Sequence, residues 1–272
     1  MSDIHYEIAG KTDPGKVRER NEDSIGLLPD LGLLVVADGM GGHNSGEVAS
    51  GLAIETILGF AKRMLGGGKK IVPESGDKNL PVDSQQLVYF VENANTVIFE
   101  KSRAFAKDHG MGTTVVAALT GPKSISVAHV GDSRLYLLRN GILERLTEDH
   151  SLVMDQVKHG LITEEQAEKS HLQNILTRAL GTEEKVEVEV HEHPVLPGDI
   201  FMLCSDGLTK MVTDAEMAEV MSSPGTPQSW TDQFIEMANA AGGVDNVTVA
   251  IARAGVRKPG GLKGFVRHLL GS

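Results

Sequence analysis

A single cysteine, Cys204, occurs in the 272 residues, so no disulfide can form within the chain. That scarcity suits a reducing compartment. Long apolar runs are missing too: none approaches the roughly 18 residues that span a bilayer. The opening residues "MSDIHYEIAG" lack the basic start and apolar core of a secretory signal. These absences together predict a cytosolic protein. A basic surplus is also lacking, with 26 lysines and arginines against 37 acidic residues and a formal net charge of −11. No domain-wide nucleic-acid surface is expected, because phosphate backbones attract basic faces. The acidity serves solubility, unless some carboxylates cluster to hold cations.

What is present is enough apolar material, 40% of the residues, to bury a substantial core in one large domain. Short runs rich in valine and isoleucine read as strands: "LLVVAD" at 33–38, "TTVVAAL" at 113–119, "ISVAHV" at 125–130 and "RLYLL" at 134–138. "VEVEV" at 186–190, "IFMLCS" at 200–205 and "VTVAIA" at 247–252 follow. Short links join the runs from 113 to 138, which predicts consecutive antiparallel hairpins.

Two helices are expected. One follows Asn44, paired with Glu47 as a capping box, with apolar Ala49, Leu52, Ala53, Ile57 and Phe60. The other follows Asp83, paired with Gln86, with Leu87, Val91, Ala94, Ile98 and Phe105. Each has one apolar stripe and so covers one sheet face. Residues 66–81, "GGGKKIVPESGDKNLP", read as a linker. Residues 147–181 are polar and weakly periodic, a surface flap over the sheet. Antiparallel strands with segregated helices indicate an α+β fold, two sheets with helices outside.

Three aspartates adjoin apolar runs. Asp38 follows "LLVVA" and precedes Gly39, Asp206 follows "IFMLCS" and precedes Gly207, and Asp245 lies just ahead of "NVTVAIA". An isolated Asp-Gly is a turn signal. Two at strand ends, with a third aspartate, also fit one cleft. Converging like charges take up protons or cations. With oxygen ligands and no cysteine–histidine cluster, magnesium or manganese is favoured over zinc. Gly39 leaves its carbonyl free to approach a metal. Arg18 and Arg20 precede Asn21, Glu22 and Asp23, and an arginine fork matches phosphate oxygens. The same charged run also reads as a solvated loop.

In order, "VRERNED", "VVADGMGGHNSGE", "GTTVVAAL", "AHVGDSRLYLL", "LTEDHS", "LTRALG", "IFMLCSDGL" and "GGVDNVTVAIA" resemble the metal-dependent protein phosphatases of the type 2C class, in their compact bacterial form. The resemblance covers residues 5–254. It implies a four-layer α-β-β-α sandwich whose catalytic domain is residues 1–254, with a site for two Mn2+ or Mg2+ ions. By position it makes Asp38 the bridging ligand, Asp206 and Asp245 ligands of the first metal, and the Gly39 carbonyl a ligand of the second. Asp23 would support the second metal through water, with Glu22 as the alternative. Arg18 would bind phosphate, Asp132 would hold a weaker third ion, and His43 would stand near the leaving group.

The charge excess of two divalent ions over three aspartates favours a bridging hydroxide, so no phosphoenzyme is needed. The implied reaction is hydrolysis of phosphoserine and phosphothreonine in proteins, opposing a serine/threonine kinase, by a monomer. A binding module without turnover would not need the complete acidic set. Cys204, within an apolar strand, reads as a buried small hydrophobe.

Three further signals lie apart from this. His191 and His193 share a strand face but have no third soft ligand beside them in sequence, which reads as a solvated edge. "GGGKK" lacks the strand before it and the Ser or Thr after it that a phosphate loop needs. Residues 255–272 form a basic amphipathic tail, either a packed end or a docking helix for an acidic partner or anionic membrane.

Overall fold

Strands that are apolar on both faces need cover on both sides, and Leu33 to Ala37 are all fully buried. The computed structural model describes residues 4–41, 45–67, 71–74, 76–105 and 108–256. It answers that need with two antiparallel sheets laid face to face. One carries β1 (Ile4–Asp13), β11 (Val247–Val256), β10 (Ile200–Cys204), β7 (Arg134–Arg139) and β8 (Ile142–Arg145), in that spatial order. The other carries β2 (Asp23–Leu28), β3 (Leu33–Met40), β5 (Val115–Thr120), β6 (Ser124–Val130) and β9 (Glu189–Pro194). The two-residue β4 (Gly112–Thr113) pairs with the end of β3.

Three apolar layers hold the sandwich. Leu33, Val35 and Ala37 point toward α1 (Ser45–Leu65) and α2 (Val82–Ala104), meeting Ala53, Ile57, Phe90 and Ile98. Leu34 and Val36 point the other way and meet Phe201, Leu203, Ala250 and Ala252 between the sheets. Beyond the first sheet, Met202, Cys204, Val249 and Ile251 pack on α6 (Asp214–Ser222) and α7 (Pro227–Ala240) through Met217, Trp230 and Phe234. The layers thus run helix, sheet, sheet, helix.

Some sequence expectations need correction. The runs at 125–130 and 134–138 are not a hairpin: β6 pairs with β5 and β9, while β7 pairs with β10 and β8 in the other sheet. Gly131 makes the crossing with φ at 105°, a left-handed conformation that favours glycine. The second helix begins at Val82 behind Pro81, so Asp83 sits in its first turn, where the helix dipole favours a carboxylate. Phe105 is extended and ends that helix. The run at 186–190 shifts forward to β9, at Glu189–Pro194. Asn44, the proposed cap of the first helix, lies outside the described residues.

Residues 147–181 contain α3 (Leu152–Lys158) and α4 (Glu164–Glu168). The segment is anchored at both ends. The His150 N–H donates to the Gly131 carbonyl at 3.0 Å, and Thr113 and Leu180 exchange backbone bonds of 3.1 and 2.8 Å. Between these anchors Leu161, Leu172 and Ile175 are exposed.

Phe234 is fully buried between α7 and the first sheet. Replacing it with alanine is expected to cost about 3–5 kcal/mol, read from the urea midpoint. A loss below about 1 kcal/mol would mean that this layer does not carry the fold.

Candidate metal centre

The alternation that builds the core between the sheets also builds the site. Along β3 the residues facing the other sheet are Leu34, Val36 and then Asp38; along β2 they are Leu27, Ile25 and then Asp23. Ser205 continues Phe201 and Leu203, and Thr248 continues Ala250 and Ala252. At one end of the sandwich the apolar face therefore turns into carboxylates and hydroxyls. Asp23 and Asp38 stand directly opposite each other in the β2–β3 ladder, an arrangement that repels when both are ionised.

The hydroxyls place the acids. Ser205 and Thr248 each donate to Asp23 Oδ2 at 2.7 Å. The Asp38 N–H donates to Thr114 Oγ1 at 3.1 Å, and its carbonyl accepts from Thr113 Oγ1 and the Thr114 N–H, both at 2.8 Å. Asp132 enters from the Gly131 crossing, Asp206 from the first turn of α5 (Asp206–Thr209), and Asp245 from the loop before β11.

Burial, then repulsion from Asp23, Asp206, Asp132 and Asp245, raises the Asp38 pKa well above the carboxylate range. Burial raises Asp23 from 3.8 to about 6, against the two hydroxyl donors. Burial and then Asp206 raise Asp132 from 3.8 to about 7. Five aspartates therefore feel one another at this end of the molecule.

Neither Asp-Gly pair is a turn. Gly39 lies within β3 and Gly207 within α5, and neither has a positive φ. Each is bare because backbone passes too close for a side chain. A Cβ at Gly39 would stand 2.1 Å from the Gly46 carbonyl oxygen, and one at Gly207 only 1.9 Å from that of Asn246. Gly39 thus brings the start of α1 against the site, a reason the sequence reading missed.

Arg18 forms a fork with Asp245, Nε to Oδ1 at 2.9 Å and Nη2 to Oδ2 at 3.1 Å. Two site residues escaped the sequence reading. Asn246 is buried: it accepts from the Glu22 N–H at 2.8 Å and donates to the Pro14 and Arg20 carbonyls at 3.0 and 2.8 Å. It ties down the loop that carries Arg18. Lys210 pairs with Asp206 at 2.5 Å and with Asp245 at 3.3 Å. Its place one helical turn after Asp206 was the available signal.

The remaining expectations divide. Glu22 is half-buried beside Gly46, and burial raises its pKa. His43, the tail at 257–272 and the lysines of "GGGKK" lie outside the described residues. Cys204 is fully buried, with its thiol pushed up to about 12 by burial. Of the histidine pair, His191 finds company in space. Glu189 accepts from His150 Nε2 at 3.2 Å and from His191 Nε2 at 2.8 Å, and His129 lies close by. The Gly131 N–H donates to His150 Nδ1 at 3.1 Å, which places the His150 proton on Nε2. His150 is therefore a hydrogen-bonded strut and not a free metal ligand.

The acidic set fits hard divalent ions. Its donors are all oxygens, and the buried Asp23 Oδ1 and Asp206 Oδ1 have no hydrogen-bond partner among the described residues. Acids gathered at a sandwich end, beside an arginine fork, suit a metal-dependent phosphoester hydrolase. The family model for protein phosphatase 2C matches residues 16–250, and the chain belongs to that family.

Among its relatives is the serine/threonine phosphatase Stp of Listeria innocua, 39% identical over 260 residues that cover 94% of this chain and 98% of the relative. The solved serine/threonine phosphatase PstP/Ppp of Mycobacterium tuberculosis is 34% identical with a TM-score of 0.80, covering 91% of this chain and 98% of that one. A PstP catalytic domain in complex with two manganese ions is 34% identical with a TM-score of 0.78, covering 93% of this chain and 99% of that one.

The raised pKa of Asp132 has a measurable consequence. The folded chain binds that proton more tightly than the unfolded chain, so its contribution to stability is full below pH 3.8 and is lost as pH rises through about 7. In chelator, Asp132→Asn should match the wild type near pH 4 and exceed its thermal midpoint by a few degrees at pH 8. A gap that does not widen with pH would contradict the buried repulsion.

Proposed function

We propose that the protein removes phosphate from phosphoserine and phosphothreonine in other proteins, working at the acidic end of the sandwich. The observation that carries this reading is the convergence of Asp23, Asp38, Asp132, Asp206 and Asp245 on one buried site. We assign Mn2+ or Mg2+ to it: Asp38 would serve both ions, Asp206 and Asp245 would hold the first, and the Gly39 carbonyl would hold the second. Asp23 would support the second ion through water, and Asp132 would hold a weaker third. When bound, such ions acidify a water to make it nucleophilic and set positive charge against phosphate oxygens.

The chain supplies the rest. Arg18 is half-exposed on a loop pinned from below, because the Lys16 and Val17 N–H groups donate to the Gly243 carbonyl at 2.8 and 3.2 Å. Its fork suits two oxygens of a phosphate monoester. A cleft of about 920 Å3, lined by Asp132, Asp206, Lys210, Arg145 and Met154, opens beside the acids and gives a peptide room to lie. We read residues 147–181 as a flap on that cleft. No cysteine nucleophile takes part, since the buried Cys204 holds its proton. We place the protein in the cytosol, reversing a serine/threonine kinase.

Phosphate release from phosphopeptides in Mn2+ tests this. Asp38→Asn should lower kcat by at least roughly a hundredfold, while Arg18→Ala should raise KM roughly tenfold with a smaller change in kcat. Full turnover by Asp38→Asn would falsify the assignment. Faster release from small phosphate esters than from phosphopeptides would redirect it to metabolites.

A further inference from the structure

Five aspartates share the site, yet the described residues set only two basic side chains against them. Asp245 receives both, Arg18 on Oδ1 and Oδ2 and Lys210 on Oδ2. Asp206 Oδ2 receives Lys210 at 2.5 Å, while Asp206 Oδ1 has no hydrogen-bond partner among the described residues. Asp23, Asp38 and Asp132 have no ion pair with a basic side chain among the described residues, and all three have raised pKa values. Lys210 thus bridges two of the three carboxylates assigned to the first ion.

We propose that Lys210 is a resident counter-ion of this cluster, which a divalent ion displaces as it binds, and that Lys210 thereby sets how tightly the site holds metal. The inference rests on reading these aspartates as metal ligands. An oxygen that faces both an ammonium and a divalent ion brings the two cations to roughly 4 Å, where their repulsion in a partly buried site is large. Lys210 must therefore yield.

It has the means. Its four-carbon stem is flexible, and it lines the 920 Å3 cleft, which also presents Asp214 and Glu164 as alternative partners. Burial opposes the ammonium, but Asp206 and Asp245 outweigh it, so Lys210 keeps its charge. Arg18 has half its side chain exposed against a quarter for Lys210, so solvent screens Arg18 more. Lys210 is the stronger competitor.

Two opposed effects follow from removing the charge while keeping the length. By calorimetric titration of chelator-treated full-length protein, Lys210→Met should bind Mn2+ roughly three- to tenfold more tightly than the wild type. In chelator its thermal midpoint should fall, because the carboxylates lose their counter-ion. Lys210→Arg, which keeps the charge, should leave the dissociation constant within about twofold. If methionine disturbs the packing, Lys210→Gln provides the same comparison.

An unchanged or weaker Mn2+ affinity in the neutral variants overturns the inference and leaves the phosphatase assignment standing. A wild type that takes up no Mn2+ overturns both.

Discussion

Repulsion among buried carboxylates is the constraint around which this molecule is organised. Water screens acidic groups well, but the end of a two-sheet sandwich admits little of it, so burial and the neighbouring aspartates raise the cost of ionising Asp38. Hydrophobic burial elsewhere must hold the site together. Leu34, Val36, Phe201 and Leu203 lie on the same sheet faces as the acids and hydroxyls, so the layer that fastens the sheets also positions the charges. Stability and chemistry draw on one set of strands. The partners that relieve the repulsion are hydroxyl donors at Asp23, side-chain cations at Asp206 and Asp245, and the divalent ions the oxygens suit.

Much of this was legible in the sequence because the period of a strand is simple. Asp38 and Asp206 were conspicuous, each following an apolar run and preceding a glycine. Two sheets with helices outside followed from antiparallel strands and helices with a single apolar stripe. Resemblance to the family supplied Asp23 and Asp132, whose surroundings carry no such pattern. What stayed hidden depends on where loops travel. Asp245 is 35 residues from Lys210 and 227 from Arg18 in sequence, and no local spacing encodes those pairs. Asn246 likewise gathers Pro14, Arg20 and Glu22 from the other end of the chain.

The glycines show how one residue type supports several inferences. At Gly39 and Gly207 the sequence suggested turns, and at Gly39 also a carbonyl left free for metal. In the structure both sit where another backbone crosses within the radius of a methyl group. Gly39 lets α1 pass close to β3, and Gly207 lets α5, which carries Asp206, pass close to the loop that carries Asp245. Gly131 acts differently, through its φ of 105°, and its turn is why the expected hairpin is a crossing between sheets.

That crossing joins the site to its surroundings. The Gly131 N–H donates to His150 Nδ1, and the Gly131 carbonyl accepts from the His150 N–H, so the residue before Asp132 is held from both sides by the start of the 147–181 segment. His150 is braced in turn by Glu189 on β9, which lies directly opposite His129 in the β6–β9 ladder. This arrangement requires His150 to be neutral, because a proton on Nδ1 would face the Gly131 N–H donor. Burial meets the requirement by lowering the His150 pKa, even though Glu189 pulls it upward. A movement of the 147–181 segment at His150 therefore bears on Gly131, the neighbour of Asp132. His150 and Glu189 thus belong to the frame that sets one wall of the acidic site, and of the 191/193 histidine pair only His191 touches it, through Glu189.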